Sequence, residues 1–243
     1  MSVTRILKRY SQRGIYAFGP TRRLSYRLWT PGEKDSSLVD CQSLIHVGAN
    51  EGQERYIYES LGLEVLWVEP IPDAFAKLQR NIRRISKQRA IRALLSNVSG
   101  QTLKLNISNN GGLSSSIFEL AEHKTVWPGV HYVDQMECVS ATLDDLLPLL
   151  PSPGALILDT QGSELMVLGG AERALREART VKVEAADFKS YEGGCTDVEL
   201  VGFLSTRGFE LIDRRRFAQH PAGGGYFDLV FRRASGTDRT WAG

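Results

Sequence analysis

The feature that most constrains the fold is a regular alternation of short apolar runs and helical patterns that begins at residue 43. The apolar runs predict buried strands over 43–47, 64–69, 90–95, 155–159 and 180–184. Between them, apolar residues recur at spacings of three and four, which predicts helices over 53–61, 73–85, 163–177 and 198–206. Alternation of this kind is typical of a parallel sheet with helices on both faces.

The end of the chain departs from this alternation. Strands are predicted over 209–213 and 226–232, and the segment between them is too short for a helical crossover. Parallel neighbours need such a crossover, so these two strands should form an antiparallel hairpin around a 214–225 loop. A more exposed strand is predicted over 103–107. A seven-stranded, mostly parallel α/β sheet that ends in an antiparallel hairpin is the Rossmann-like arrangement of class I methyltransferases.

The composition is that of an ordinary globular protein. Of the 243 residues, 42% are hydrophobic and 24% charged, which excludes disordered, collagen-like and coiled-coil chains. Cys41, Cys138 and Cys195 form no CxxC pair, so a zinc ribbon, a thioredoxin-like site and a disulfide scaffold are disfavoured. No run of about 18 apolar residues predicts a membrane-spanning helix. No apolar segment follows the basic N-terminus as in a secretory signal. The cytoplasm is therefore the expected location.

The net charge of +2 conceals an uneven distribution. Seven basic residues and no acidic residue lie within the first 32 positions, and the remaining 23 basic residues are outnumbered by 28 acidic ones. We therefore divide the chain into a basic N-terminal arm, residues 1–40, and a catalytic domain, residues 41–243. The arm is interpreted as a cap or a homodimer contact, or as a surface that attracts an anionic or lipid-linked substrate.

A glycine turn follows the first predicted strand and opens the first predicted helix. It has the sequence HVGANEG, in which Asn50 stands where dinucleotide-binding proteins have the middle glycine of GxGxxG. A side chain at that position obstructs the close approach of a pyrophosphate. S-adenosylmethionine has no phosphate, so the turn favours it over NAD.

A carboxylate, Glu69, ends the second predicted strand, 17 residues after Gly52. At that place a carboxylate accepts hydrogen bonds from both hydroxyls of a ribose. Together with Pro70 and the glycine turn, Glu69 predicts a nucleoside site at the carboxyl edge of the sheet. The alternative is a tight turn beside a solvated glutamate.

Several motifs together resemble those of the FkbM family of S-adenosylmethionine-dependent methyltransferases. They are LIHVGANEGQE, VEPIPDAFAKLQRNI, SNNGGLSSSI, ATLDDLL, LDTQGSELMVLGGA and the GFELI…FDLVFRR ending, which together cover roughly residues 43–232. The resemblance implies the class I methyltransferase sheet. It also implies an O-methyltransferase acting on hydroxyls of sugars or natural products.

The resemblance also implies where the cofactor would bind. Gly48, Asn50 and Gly52 would line its methionine end, and Glu69 would hold the ribose beside Pro70 and Ile71. Adenine would lie near Ser96 and Asn97. Most members have an acid two residues before the first glycine, where this chain has His46. Glu51 or Asp159 could take over that acid's contact with the methionine amino group.

Two carboxylates follow neighbouring predicted strands and should face one cleft. Asp159 ends the fourth of the predicted parallel strands and Glu184 ends the next. Asp159 could bind the cofactor amino group, act as the base or hold a metal, or it could be an N-cap. With Glu184 it would hold Mg²⁺ if the enzyme is metal-dependent. The following Thr160-Gln161-Gly162 lacks the prolines and aromatic ring of enzymes that methylate base amino groups, which disfavours that reaction.

The segment before the fourth strand supplies candidates for acceptor binding and base catalysis. His123 is a candidate general base because a neutral imidazole suits proton transfer near pH 7; the alternative is a surface histidine. His131 is a weaker candidate for the same role. Asn110, Ser114, Ser115 and Ser116 offer amide and hydroxyl groups to sugar hydroxyls, and Tyr191 would flank the acceptor.

The favoured function is S-adenosylmethionine-dependent O-methylation of a sugar, a glycan or glycolipid, or a natural product. One alternative is an NAD-dependent oxidoreductase, which the missing GxGxxG and the terminal hairpin disfavour. Another is methylation of RNA or another nucleic acid. A second basic cluster lies over 77–92, but no RNA-binding motif accompanies it, and no nucleic-acid partner is expected. A non-catalytic scaffold with the same fold is a further alternative.

Overall fold

The computed structural model describes residues 37–149 and 152–236. The N-terminal arm therefore lies outside the described residues except for its last four positions. The described elements are, in chain order, β1 (Ser43–Val47), α1 (Arg55–Ser60), β2 (Glu64–Val68), α2 (Pro72–Ile82), β3 (Gln88–Ile91), β4 (Leu94–Leu95), β5 (Thr102–Ser108), α3 (His123–Val126), β6 (Tyr132–Ala141), a 3₁₀ helix (Asp144–Leu149), β7 (Ala155–Leu158), α4 (Glu164–Gly169), α5 (Glu172–Glu177), β8 (Thr180–Ala186), α6 (Asp197–Ser205), β9 (Phe209–Gln219) and β10 (Gly225–Arg233).

Seven strands form the main sheet in the order β3-β2-β1-β7-β8-β10-β9. The five strands from β3 to β8 are parallel, and β10 runs antiparallel to both β8 and β9. The predicted class I methyltransferase sheet with a C-terminal antiparallel hairpin is confirmed. Its strand order reverses between β1 and β7, and in open α/β sheets ligands bind outside the carboxyl ends of the strands at such a point.

Side chains that alternate along the strands build a hydrophobic core on each face of the main sheet. On β1, Ile45 and Val47 pack against the face covered by α4, α5 and α6. Leu44 belongs to the opposite core, where Tyr58 of α1 and Leu78 of α2 cover the sheet. All of these side chains are buried. Helices therefore cover both faces of the sheet, as predicted, and this packing fixes the positions of the strand ends.

A small second sheet was not predicted in full. The predicted 90–95 strand divides, because β3 ends at Ile91 and β4 leaves the main sheet to pair with β6. Strand β6 pairs antiparallel with β5 and was not predicted from the sequence. Its side chains are mostly exposed or half-buried, so it lacks the apolar run that marked the other strands.

Two further boundaries differ from the prediction. The predicted 163–177 helix is interrupted at Gly169 and Gly170, where a Cβ on Gly170 would lie 2.4 Å from the carbonyl oxygen of Ser96. The hairpin loop is much shorter than 214–225, because β9 continues to Gln219 and β10 begins at Gly225. The hairpin therefore extends further toward the site than expected.

Candidate functional site

Two adjoining cavities open at the carboxyl edge of the main sheet, each about 610 Å³ with its mouth included. The first lies over β1, β2 and β7 and is lined by Gly48, Asn50, Glu69, Pro70 and Ile71 among others. The second lies over β7 and β8 and is lined by Asn110, Ser114, His123, Trp127, Val130, Glu184 and Phe217. Leu113, Asp159 and Gln161 line both cavities, so they form a shared wall.

The glycine turn after β1 brings backbone close to the end of β7. Gly48 has a φ of +80°, and a Cβ there would lie 1.8 Å from the carbonyl oxygen of Asp159. Only glycine fits both the conformation and the space. The backbone N–H groups of Gly48 and Ala49 both donate to the carbonyl of Val68. The turn is thus fixed between the ends of three strands.

Asn50 connects this turn to the loop above the first cavity. It has a φ of +43°, in the left-handed region that asparagine tolerates better than most residues. Its Nδ2 donates to the carbonyl oxygen of Gly111 at 3.1 Å. A Cβ on Gly112 would lie 2.9 Å from Cδ1 of Ile71, so the loop rests directly on the cavity lining.

Glu69 is buried at the floor of the first cavity, where both of its carboxylate oxygens accept backbone hydrogen bonds. The N–H of Asn50 donates to Oε2 and the N–H of Ile71 donates to Oε1, each at 2.8 Å. Burial raises the pKa of Glu69 to about 7, although the two hydrogen bonds oppose that rise. Each carboxylate oxygen has lone pairs to spare, so Glu69 can still accept from a ligand.

Asp159 and Glu184 both line the second cavity, in agreement with the prediction from their strand positions that they share one cleft. Burial raises the pKa of Asp159, and the nearby acids Glu164, Glu54 and Asp228 raise it further. Burial also raises the pKa of Glu184, with the charge of Asp159 as the next cause. Both carboxyls therefore hold a proton more tightly than an exposed acid does.

His123 begins α3 and contributes a buried imidazole to the second cavity. Burial lowers the pKa of His123 to about 4, so the ring is neutral at pH 7. Its ring centroid lies 4.7 Å from that of Trp127 and 5.3 Å from that of Tyr191. Among the described residues, none makes a hydrogen bond to its Nδ1.

The methyltransferase FkbM domain model matches residues 46–211. The chain belongs to the FkbM methyltransferase family. It is also 25% identical over 190 residues to the 2-O-methyltransferase NoeI of Sinorhizobium fredii (strain NBRC 101917 / NGR234), covering 74% of this chain and 75% of NoeI. The protein is therefore a methyltransferase.

Solved methyltransferase structures are similar over most of the chain at low identity. Magnesium protoporphyrin IX methyltransferase from Synechocystis PCC 6803, solved with bound SAM, has 10% identity and a TM-score of 0.46, covering 96% of this chain and 98% of that one. An O-methyltransferase family protein from Burkholderia thailandensis has 10% identity and a TM-score of 0.47, covering 83% and 54%.

Besides Gly52, four predicted cofactor residues of this FkbM methyltransferase do not line the first cavity. The ring of His46 stacks on Trp67 with centroids 4.9 Å apart, and its Nδ1 is 3.0 Å from the hydroxyl of Tyr58. Burial lowers the pKa of His46 to about 3. The reason is that side chains alternate along β1. His46 lies on the same face of the sheet as Leu44, whereas Val47 and Gly48, which follow His46, line the cavity. His46 is a core residue.

The other three are Glu51, Ser96 and Asn97. Glu51 accepts a hydrogen bond from Lys77 Nζ at 2.9 Å on α2. Ser96 is buried, and its Oγ donates a hydrogen bond to Oδ1 of Asn97. Both residues lie against Gly169 and Gly170. Strand β4, which precedes Ser96 and Asn97, lies outside the main sheet. Its residues Leu94 and Leu95 line the cavity in place of Ser96 and Asn97.

Gly52 is close to the turn for a packing reason. It has a φ of +70°, and a Cβ there would lie 2.6 Å from Cδ1 of Leu78 on α2. It therefore permits α2 to approach the turn and does not itself line either cavity. Val47, Gly48 and Asn50 are the members of the HVGANEG motif that reach the first cavity.

The loop over 109–116 separates the predicted acceptor residues into different roles. Asn110 and Ser114 line the second cavity, whereas Ser115 lines the first. Ser116 is buried and its Oγ donates to the carbonyl oxygen of Gln161 at 2.7 Å. The loop is therefore attached to both walls that it covers.

Gln161 and Glu164 are site residues that the sequence reasoning did not single out. Gln161 lines both cavities, and its amide lies between Tyr191 and Asp159. Tyr191 itself is buried behind Gln161 and does not line the second cavity. Glu164 accepts hydrogen bonds from the backbone N–H groups of Thr160 and Gly162, which closes the turn after β7. The DTQGSE motif was the available signal for both.

The predicted magnesium site gains no support. Within residues 37–149 and 152–236, no group of three His, Cys, Asp or Glu side chains is placed to hold a metal ion. Asp159 and Glu184 form only a pair, so we do not carry magnesium into the proposal. None of the helices in the described part of the chain has the length and apolarity needed to cross a membrane.

Proposed function

We propose that this FkbM methyltransferase uses S-adenosylmethionine to methylate a hydroxyl group of a saccharide, either free or within a glycan, glycolipid or glycosylated natural product. The observation that carries the proposal is the shared wall of the two cavities. A methyl donor in one cavity and an acceptor in the other would meet at Asp159 and Gln161. Direct transfer requires such a meeting, because the two reactants must approach closely and in line.

The first cavity fits the methyl donor. Gly48 lets the turn lie against the carbonyl oxygen of Asp159, where a Cβ would clash, and the turn lines the cavity beside the strand ends, where the methionine portion would bind. Glu69 is in place to accept hydrogen bonds from ribose hydroxyls, next to Pro70 and Ile71. Asn50 fills the position of the middle glycine, which disfavours the pyrophosphate of NAD. S-adenosylmethionine, when bound, supplies an electrophilic methyl group.

The second cavity fits an acceptor with several hydroxyl groups. The Oδ1 of Asn110 already accepts from Ser108 Oγ and Ser114 N, and its Nδ2 donates to Ser114 Oγ. One amide hydrogen of Asn110 and the hydroxyl hydrogen of Ser114 thus have no partner among the described residues. These donors face a cavity that also contains two carboxyl groups as acceptors.

Aromatic side chains complete the acceptor cavity. Trp127 and Phe217 line it together with the apolar Leu113 and Val130. A sugar ring has hydroxyl edges and an apolar C–H face, so polar groups beside aromatic rings suit it. The 2-O-methyltransferase NoeI, to which the chain is similar, is named for transfer to an oxygen. RNA methylation is less favoured, because no stacking platform flanked by basic side chains lines this cavity.

Three side chains of the second cavity are suited to removing the hydroxyl proton. Glu184 and Asp159 have pKa values raised by burial, and His123 is neutral with an unpartnered Nδ1 among the described residues. We assign the base to the Glu184 carboxylate, because Glu184 lines only the acceptor cavity, whereas Asp159 lies at the donor side as well. His123 would then orient the acceptor or relay the proton.

The test combines binding and transfer. Calorimetry should detect binding of S-adenosylmethionine and no binding of NAD. In a panel of methyl glycosides, lipid-linked sugars and total RNA, labelled methyl groups should be transferred to the saccharides. Glu184→Gln should lower turnover by about 10²-fold or more while the dissociation constant of S-adenosylmethionine changes little. Binding of NAD alone, or transfer to RNA alone, would refute the proposal.

A further inference from the structure

Gln161 occupies the junction of the two cavities in a constrained conformation. Its φ is +55°, a left-handed value that glutamine rarely adopts. Conformations of this kind persist where surrounding contacts hold them, and they occur often at functional sites. Here Ser116 Oγ donates to the Gln161 carbonyl oxygen at 2.7 Å from the covering loop. The backbone of Gln161 is thus held from the side opposite to the strand.

Two hydrogen bonds also fix the side-chain amide of Gln161. The hydroxyl of Tyr191 donates to Oε1 at 2.6 Å, and Nε2 donates to Oδ1 of Asp159 at 2.5 Å. A flipped amide would direct its carbonyl oxygen at a carboxylate, which has no hydrogen to donate when ionised. When Asp159 is ionised, the amide nitrogen therefore faces Asp159 and the Tyr191 hydroxyl donates to the amide oxygen.

Tyr191 is itself held firmly enough to act as an anchor. It is buried, and its backbone forms a bridge with Leu120. Gly162 packs against its ring, since a Cβ on Gly162 would lie 2.9 Å from Cδ2 of Tyr191. The position of the phenol oxygen is therefore set by packing, and a mobile surface side chain could not replace it.

We propose that Gln161, anchored by Tyr191, is a positioning residue that holds the Asp159 carboxylate at the shared wall in its ionised form, where it faces the positive charge of the methyl donor. The inference rests on the proposed function for the identity of that donor. Oδ1 is occupied by Gln161, so the second oxygen of Asp159 is left to face the ligand. Tyr191, predicted to flank the acceptor, acts in this arrangement through Gln161.

The charges around Asp159 make such a device necessary. The groups that face it or lie behind it are Glu54 before α1, Glu164 on α4, Glu184 on β8, Asp228 on β10 and, across the second cavity, His123, and Lys182 on β8 acts on Asp228. Most are acidic, and with burial they favour the neutral form of Asp159. The hydrogen bond from Gln161 favours the charged form and so opposes them.

The experiment is the dissociation constant of S-adenosylmethionine measured by calorimetry between pH 5.5 and 9. The affinity of the wild type should tighten as Asp159 and Glu69 ionise, and the Glu69 contribution is common to all the variants compared. In Gln161→Ala the midpoint of that change should move up by about one pH unit, because a hydrogen bond to the charged form is lost. Tyr191→Phe should move it in the same direction by less, and the double variant no further than Gln161→Ala. Gln101→Ala, an exposed glutamine, is the matched control.

An unmoved midpoint in Gln161→Ala, or effects of Tyr191→Phe and Gln161→Ala that simply add, would overturn the inference. If Gln161→Ala fails to fold, Tyr191→Phe alone still tests it. If the wild type binds no S-adenosylmethionine, the proposed function fails instead. In that case the titration of the Asp159 carboxyl carbon, followed by NMR in the ligand-free wild type and Tyr191→Phe, decides the role of Gln161 separately.

Discussion

The side-chain amide of Asn50 donates to the backbone carbonyl of Gly111 at 3.1 Å, which joins the turn after β1 to the loop above the first cavity. Asn50, which distinguishes this turn from a dinucleotide-binding turn, therefore also holds the loop that covers the cavity. Ser116, at the other end of the loop, is bonded to Gln161. The loop is therefore attached at one end to each wall of the site.

Asn50→Gly should loosen the cover without straining the turn, because glycine adopts the left-handed φ of Asn50 freely. Loss of one hydrogen bond of about 1 kcal/mol should weaken S-adenosylmethionine binding about fivefold. Hydrogen exchange of the 109–116 backbone should become faster in the same variant. Unchanged protection of these amides would show that Asn50 does not hold the loop.

Glu69→Ala should weaken S-adenosylmethionine binding by at least about 100-fold, since two hydrogen bonds to a charged group are lost and each contributes about 1.5–3 kcal/mol. Glu64→Ala is the matched control, because Glu64 begins the same strand at its other end and pairs with Arg89 on the surface. Calorimetry on both variants measures the effect. Equal affinities of Glu69→Ala and wild type would remove Glu69 from the ribose site.

The pH dependence of stability should reveal the buried carboxyl of Glu69. Its pKa is about 7 in the folded protein, above the usual value near 4.5, so the folded state holds the proton more tightly. This contribution is complete below about pH 4.5 and is lost as the pH rises to about 7, by roughly 3 kcal/mol in total. Subtracting the unfolding free energies of Glu69→Gln from those of ligand-free wild type at each pH should give that falling curve. A flat difference would contradict it.

His123→Ala should lower turnover by about 10²-fold while the dissociation constant of S-adenosylmethionine stays within about twofold. The reason is that His123 lines the acceptor cavity and not the donor cavity. His131→Ala is the control, because His131 bonds to Asn109 at the surface. Full activity of His123→Ala would exclude the histidine from both base catalysis and acceptor orientation.

The tip of the β9–β10 hairpin should influence acceptor binding. His220 Nδ1 accepts from the N–H of Ala222, so Nε2 carries the hydrogen that reaches Glu122 Oε2 at 3.1 Å. This contact holds the hairpin that bears Phe217 beside α3. Glu122→Ala should raise the acceptor KM by up to about fivefold, because a partly exposed ion pair contributes up to about 1 kcal/mol, and donor affinity should stay unchanged. An unchanged KM would show that the hairpin stays in place without this contact.

The main sheet was predictable because each of its central strands is a continuous apolar run between turns. The strand ends then placed Glu69, Asp159 and Glu184 at one edge without further information. Strand β6 was not predictable in the same way, since its side chains are mostly exposed or half-buried and form no apolar run. Pairing between such strands leaves little trace in a local pattern.

Within the site, the prediction failed for a residue whose position depends on which face of the strand its side chain occupies. His46 precedes the glycine turn by two residues, yet it faces Trp67 in the core. The alternation of β1 contained this information, whereas the resemblance to the family did not. Gln161 escaped notice for a different reason. Its role depends on Tyr191, thirty residues later, and only the folded structure brings the two side chains together.

The shared wall has a practical consequence for inhibition. Because Leu113, Asp159 and Gln161 line both cavities, a single compound that joins an adenosine unit to a sugar unit should occupy the two cavities together. Such a bisubstrate compound would gain from both halves while losing rigid-body freedom only once. Its best linker length would report how far apart donor and acceptor lie in this enzyme.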